Sequence, residues 1–366
     1  MRLIFTGDVA MDVNFGEEVV VEEELLRIFK NAITFINLEC PLCSICEKLS
    51  EDKVILQGDV EHLKKLFKKI NVKIVSLANN HIFDCGVSGF LETLEILKDM
   101  NIQYTGAGLN LEEARKPAII ELEGKRIGFL AYSWTKEMAK PSPEATSTMW
   151  GVAPIRRDVI LNDVKQLKKI VDVCVVSLHW GEENTLFPPP SLPFLAKSIL
   201  REGADIIIGH HPHILQGVDI CKKGAIFYSL GNFYFSPYYY FEDGKPKIKK
   251  WRLKNYISGI GIWSHHICEL LTVWQEGNTI KLWKNKKIKE KMRFLGKIYN
   301  EFWYPVIYPF LRRTEEMIYS IQAAYDTWKV YFAEGGFFYA WNSFWRKDMK
   351  RVMQKTMWFF KKRRKL

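Results

Sequence analysis

Between residues 1 and 235, short apolar runs alternate with segments of helical period, and nearly every run breaks off at a polar motif. The runs are Leu3–Thr6, Thr34–Asn37, Lys73–Leu77, Ile127–Tyr132, Val173–Leu178, Asp205–Ile208 and Ala225–Ser229. The segments 59–70, 90–100, 158–170 and 192–200 carry apolar residues at helical spacing, as Leu63, Leu66, Phe67 and Ile70 do in the first. This alternation predicts an α/β layered fold, with central sheets of substantial parallel pairing flanked by helices. In such folds the loops after the carboxyl ends of strands build the site. Six polar motifs fall there: Gly7-Asp8, Asn37-Leu38-Glu39, Asn79-Asn80-His81, His179-Trp180-Gly181, His211-Pro212-His213 and Gly231-Asn232-Phe233.

Five of the eight histidines lie in these motifs or beside them. Neutral imidazole is a common ligand for borderline transition metals. A dinuclear centre also needs a group that can bridge two cations about 3.5–4 Å apart, which a carboxylate does well. The candidate ligands are therefore Asp8, Glu39, Asn80, His179, His211 and His213. His81 stands outside that set as a proton donor or oxyanion stabiliser, and Asp84 stiffens the loop after it. Asp8 and Glu39 also join His81 as expected catalytic groups. Asn232, Trp180 and Glu182 are the expected substrate contacts, whereas His210 reads as structural and His265-His266 as strand surface.

Charge divides the chain. Residues 1–240 hold 26 Lys and Arg against 31 Asp and Glu, and the remainder holds 27 against 11. The chain reads as a domain over residues 1–285 and a basic, aromatic-rich, mainly helical region over 286–366. Ile257–His265, Leu270–Trp274 and Thr279–Trp283 are expected as sheet-edge strands or a hairpin, with Gly277-Asn278 as the turn. The tail, ending Lys361-Lys362-Arg363-Arg364-Lys365, fits three readings: a packed cap, an interfacial membrane anchor, or a cradle for an acidic substrate or partner. No nucleic acid partner is expected, because no recognised binding fold accompanies the charge.

The seven cysteines are an odd number and are expected as reduced thiols in a cytoplasmic protein. Cys40, Cys43 and Cys46 form a cluster for which Cys85 is the one plausible fourth metal ligand. The chain reads as strand from its second residue, so no leader is expected. No apolar run reaches the ~18 residues of a spanning helix. The expected location is the cytoplasm, including the inner face of the membrane.

The longer motifs carry a resemblance. Asn37-Leu38-Glu39-Cys40-Pro41-Leu42, Leu77-Ala78-Asn79-Asn80-His81-Ile82-Phe83-Asp84 and Thr105-Gly106-Ala107-Gly108 resemble the CapA family. Ser177-Leu178-His179-Trp180-Gly181-Glu182-Glu183, Gly209-His210-His211-Pro212-His213 and Tyr228-Ser229-Leu230-Gly231-Asn232-Phe233 complete the match. This is the poly-γ-glutamate capsule synthesis protein family, similar in turn to the calcineurin-like metallophosphoesterases. The resemblance implies a metallophosphatase-like fold and one or two divalent ions, for which mixed nitrogen and oxygen ligands admit Mn, Fe, Zn or Co. It implies that Asp8 is the first metal aspartate, Glu39 the bridging acid and Asn80-His81 the Asn-His pair, with His179, His211 and His213 as the nitrogen ligands.

One departure stands out. The phosphoesterases have Asp-x-His at the first strand, and here Ala10 takes the histidine's place, so Asp12 is a substitute if its loop bends back. Asn184 likewise stands where an aromatic is common. The implied function is a metal-dependent enzyme acting on a carboxylate-rich or peptide substrate, by amide hydrolysis or transfer or phosphoester hydrolysis. Epimerisation at a peptide α-carbon suits the same site. A non-catalytic accessory subunit of a membrane-associated polymer synthesis or export complex is the competing class.

Overall fold

β1 (Arg2–Ala10) is buried from Leu3 onward, which places it in the middle of a sheet covered on both faces. A 3-10 turn (Val13–Phe15), β2 (Val20–Val21), α1 (Glu23–Phe29) and β3 (Ala32–Leu38) follow. Then come α2 (Val60–Lys69), β4 (Val72–Ser76), α3 (Gly86–Asp99), β5 (Gln103–Thr105) and β6 (Ala107–Gly108). Next are α4 (Leu111–Arg115), β7 (Ala118–Leu122), β8 (Lys125–Ser133), β9 (Gly151–Val152) and α5 (Arg157–Lys168). β10 (Val173–His179), α6 (Ser191–Glu202), β11 (Ile206–His210), β12 (Val218–Cys221), β13 (Gly224–Phe227) and β14 (Asn232–Phe235) continue the chain. It closes with β15 (Tyr238–Glu242), β16 (Lys245–Lys249), β17 (Ile257–Ser264), β18 (Ile267–Glu276), β19 (Thr279–Leu282) and α7 (Lys286–Tyr299).

This computed structural model describes residues 2–47, 54–136, 141–221, 224–242, 245–249, 251, 253–264 and 267–316. The chain forms two compact units, Met1–Glu301 and Phe302–Leu366. The described part of the second is helical over 304–316. The basic stretch from 340 to the end and His265-His266 lie outside the described residues.

Each apolar run of the sequence overlaps a strand. The first sheet has nine strands in the order β2-β19-β18-β17-β1-β3-β4-β5, with β14 paired beside β1. Its β1-β3-β4-β5 half is parallel. The second has six in the order β12-β13-β11-β10-β8-β7, with β13-β11-β10-β8 parallel. The sheets face each other through aromatic side chains: Phe35 of β3 stacks on Phe129 of β8 at 5.4 Å, and Phe5 meets Phe35 edge-on. Helices α1, α2 and α3 cover the first sheet's other face, burying Phe29, Leu63, Leu66, Phe67 and Leu97 with Val9, Ile36 and Val75. α2 starts where Asp59 accepts the His62 N–H at 2.9 Å, and its three buried side chains contribute roughly 1.5–3 kcal/mol each. α5 and α6 cover β10 and β11 of the second sheet.

α7, assigned from sequence to the C-terminal region, packs against β12 within the first unit. Tyr299 donates to the Leu186 carbonyl at 2.6 Å and Asn300 to Asp219 at 2.7 Å. A second difference concerns the thiols. Cys46 and Cys85 are joined in a disulfide, so they are neither reduced nor metal ligands. The bond ties the segment after β3 to the residue capping α3, and it withdraws the thiol argument for a reducing compartment. Cys40, Cys43 and Cys174 are buried free thiols. Among the described residues, no helix is long and apolar enough to cross a membrane.

Candidate metal centre

Both sheets end their parallel strands at one place. The first delivers Asp8 from β1, Glu39 just after β3 and Asn80 after β4; the second delivers His179 from β10 and His211 and His213 after β11. All six are buried. Close backbone approach makes this possible. A Cβ on Gly7 would stand 1.9 Å from the Gly231 carbonyl oxygen, so only glycine lets the Gly231 turn close on β1. There the Asp8 N–H donates to Gly231 at 2.8 Å, and Asp8 lies in register with Asn232.

Two donor groups share Glu39. Ligand atoms of Glu39, His211 and His213 lie within 4.8 Å of one another, as do those of Asp8, Glu39 and His179. Glu39 Oε1 is 3.7 Å from His179 Nε2 and 3.6 Å from His213 Nε2. Asn80 Oδ1 stands 2.8 Å from His179 Nε2. Glu39 Oε1 and His211 Nδ1 are buried and have no hydrogen-bond partner. An orphaned buried carboxylate oxygen is costly, and a divalent cation answers that cost. The donors are nitrogen and carboxylate oxygen, as Mn, Fe, Zn and Co accept. The residues therefore fit one or two such ions.

Supporting side chains aim the ligands. Asn37 donates to Asp8 Oδ1 at 2.9 Å and Asn79 donates to Asn37 at 3.2 Å. His210 Nδ1 donates to Asp8 Oδ1 at 2.8 Å. His213 Nδ1 donates to Asn232 Oδ1 at 2.9 Å, which turns its Nε2 toward Glu39. His211 and His213 have φ of 91° and 55°, left-handed backbone that costs a non-glycine residue on the order of 1–3 kcal/mol. Such strain persists where the surroundings over-determine it, as Asp8 does in accepting the His211 N–H at 3.3 Å.

Charge follows from burial and proximity. Burial and the neighbouring Asp8 push the Glu39 carboxyl well above the usual range. Burial would raise Asp8 too, but hydrogen bonds from His210 and His213 outweigh it and hold Asp8 well below. Burial and the neighbouring imidazoles lower His179, and lower His211 to about 4. Burial also opposes charge on His213, yet Glu39 and Asp8 raise it to about 10. His179 and His211 are thus neutral at neutral pH, as metal binding requires, whereas His213 would release a proton to an incoming cation.

His81 sits at the half-buried edge. Its Nδ1 bonds Asp84 Oδ2 at 2.7 Å, and Asp84 also accepts the Leu56 N–H at 2.9 Å. Asp84 therefore braces the His81 ring and the loop around it, leaving Nε2 outside that bond. The expected substrate contacts need correction. Trp180 is fully buried, with its indole N–H on the Tyr228 carbonyl at 3.0 Å, so it offers no surface to a substrate. Asn232 is buried behind His213 and orients it. Glu183 is solvent-exposed at the rim of the centre, where His213, His211 and His81 favour its charged form. Asp12 does not replace the absent histidine: it accepts from the N–H and side chain of Asn14 as the cap of the 3-10 turn, and Ala10 is buried. Asn184 pins its loop instead: its backbone N–H donates to the Pro212 carbonyl at 2.8 Å and its side-chain oxygen accepts from Asn255 at 2.9 Å. Sequence reasoning passed over an aromatic wall on His213, made by Trp251 at 5.0 Å and Phe235 at 5.3 Å.

The sequence model of the bacterial capsule synthesis protein PGA_cap matches residues 2–237, which span every residue of this centre. The chain belongs to that family. It is 36% identical over 188 residues to the capsule biosynthesis protein CapA of Bacillus anthracis, covering 50% of this chain and 45% of the relative. It is 32% identical over 241 residues to the PGA biosynthesis protein CapA of Bacillus subtilis, covering 63% and 62% respectively. The chain thus spans about half to three-fifths of these relatives' length. Among solved structures, a 5'-nucleotidase precursor from Thermus thermophilus aligns over 82% of this chain and 57% of its own, at 16% identity and a TM-score of 0.38. A 5'-nucleotidase from Candida albicans aligns over 86% and 58%, at 9% identity and a TM-score of 0.40.

Proposed function

We propose that this family member is a metal-dependent enzyme that cleaves or transfers at an amide of a carboxylate-rich peptide polymer. One observation carries the reading: two buried donor groups share Glu39, whose Oε1 has no hydrogen-bond partner. A divalent cation held there would supply Lewis-acid polarisation of the scissile carbonyl and a nucleophilic water at neutral pH. The chain's own residues do the rest. Asp8, Glu39, Asn80, His179, His211 and His213 would hold the cation; Asn37, His210 and Asn232 aim those side chains. His81, braced by Asp84, passes a proton to the departing amine. The name of the Bacillus subtilis relative, PGA biosynthesis protein CapA, supports a polymer substrate, which we read as a polycarboxylate.

The same proton-handling histidine supports α-carbon epimerisation as a variant of this reading. A second class, the metal-holding accessory subunit of a polymer synthesis complex, is favoured by Ala10, because Asp12 leaves that position unfilled. The basic tail would then dock a partner or membrane surface. Metal content is the first test. Wild-type protein purified with Mn²⁺ should carry one or two ions per chain, and His211→Ala should lose more than about tenfold in metal affinity. Wild-type protein without metal would overturn the enzyme reading. Metal retention without turnover of γ-linked glutamate oligomers would favour the accessory one.

A further inference from the structure

β15 and β16 form a hairpin that, among the described residues, joins neither large sheet. Its register pairs Tyr238 with Lys249, Tyr239 with Ile248 and Tyr240 with Lys247. Directly opposed residues share a face, and so do alternate ones along a strand. Tyr238, Tyr240, Lys247 and Lys249 therefore form one face, and Tyr239 and Ile248 the other.

Two contacts fix where these faces look. Tyr239 lies 5.0 Å from Phe15, on the 3-10 turn. Tyr238 lies 5.9 Å from Trp251, whose ring is 5.0 Å from His213. The Tyr238 face thus begins at the metal centre. Charge agrees with this placement: burial and the carboxylates of Glu183 and Glu39 push the Tyr238 hydroxyl up and keep it a donor, and Lys249 is among the groups that favour the Glu183 carboxylate. Lys249 is half-buried and Lys247 exposed.

The centre has an electrostatic problem with an acidic substrate. Asp8, Glu39 and Glu183 already gather there, and residues 1–240 are net acidic, with 26 basic against 31 acidic side chains. A polyanion needs local cations to approach. This face supplies them, with side chains about 6.8 Å apart along each strand.

We propose that this face of the hairpin is the binding track for an extended polycarboxylate chain. Tyr238 and Lys249 take the carboxylate nearest the metal centre, and Tyr240 and Lys247 take the next one out. The proposal rests on the reading of the substrate as carboxylate-rich, and it assigns specificity to residues outside the ligand set.

The test uses the full chain loaded with Mn²⁺ and a fluorescent γ-linked glutamate oligomer, followed by anisotropy at two salt concentrations. The double variant K247Q/K249Q should bind on the order of tenfold more weakly, as two charge contacts imply, with a shallower salt dependence and unchanged metal content and melting temperature. Tyr238→Phe should weaken binding about threefold through one lost hydrogen bond. Equal binding by wild type and K247Q/K249Q overturns the track. Failure of wild type to bind the oligomer, whether or not it binds polyphosphate, overturns the occupant. Metal content is read separately, so a metal-free wild type would sink the enzyme reading while the two oligomer affinities still decide the track.

Discussion

The two sheets reach the same centre by different means. The first contributes oxygen ligands and holds them with side-chain amides and one imidazole: Asn37 and His210 on Asp8, and Asn79 behind Asn37. The second contributes imidazoles, and backbone aims them. His211 and His213 sit at φ of 91° and 55°, and side-chain contacts to Asn232 at 2.9 Å and Asp8 at 3.4 Å set the tilt of His213. The acidic half is thus tuned for charge, the histidine half for direction. A carboxylate can rotate to share two cations, whereas an imidazole offers one lone pair along one line. Directional ligands therefore need the stiffer support.

If direction is what the second sheet supplies, disturbing it should cost metal affinity. Asn232→Ala leaves every ligand in place but loosens the His213 ring, and metal affinity should fall about 10- to 100-fold, measured by competition with a chelating dye. Unchanged affinity would show that backbone and Asp8 aim His213 without it. The acidic half predicts a smaller effect of opposite sign. Glu39 is buried beside ionised Asp8, so its carboxyl is raised and its ionised form opposes folding without metal. Glu39→Gln removes that repulsion. The chelator-treated variant should melt about 2–4 °C above chelator-treated wild type by scanning calorimetry, while losing metal affinity. A lower melting temperature would mean that Glu39 stabilises the metal-free fold.

The same contrast marks what the sequence could disclose. Apolar runs ending in polar motifs reported the parallel strands, because burial on both faces demands continuous apolar residues and strand ends collect ligands. The convergence of Asp8, Glu39, Asn80, His179, His211 and His213 was legible for that reason. Residues acting by orientation were not. Trp180 follows a ligand in the chain and Asn232 lies in a strand-end motif, yet the one is sealed under the Tyr228 carbonyl and the other stands behind His213. The Cys46–Cys85 bond joins residues 39 apart, and no spacing rule selects that pair. The hairpin was hidden because Tyr-rich and Lys-rich strands carry no apolar alternation, and only register puts Tyr238 opposite Lys249.

The central claim is that Glu39 is shared by the two donor groups and holds a cation. Crystals grown with Mn²⁺ or Zn²⁺ and measured at that metal's absorption edge test it directly. The account predicts an anomalous peak in contact with Glu39 Oε1, flanked by imidazole nitrogen from His211 and His213, with any second peak on the Asp8 and His179 side. No peak at Glu39, or a peak held by residues outside this set, would contradict it.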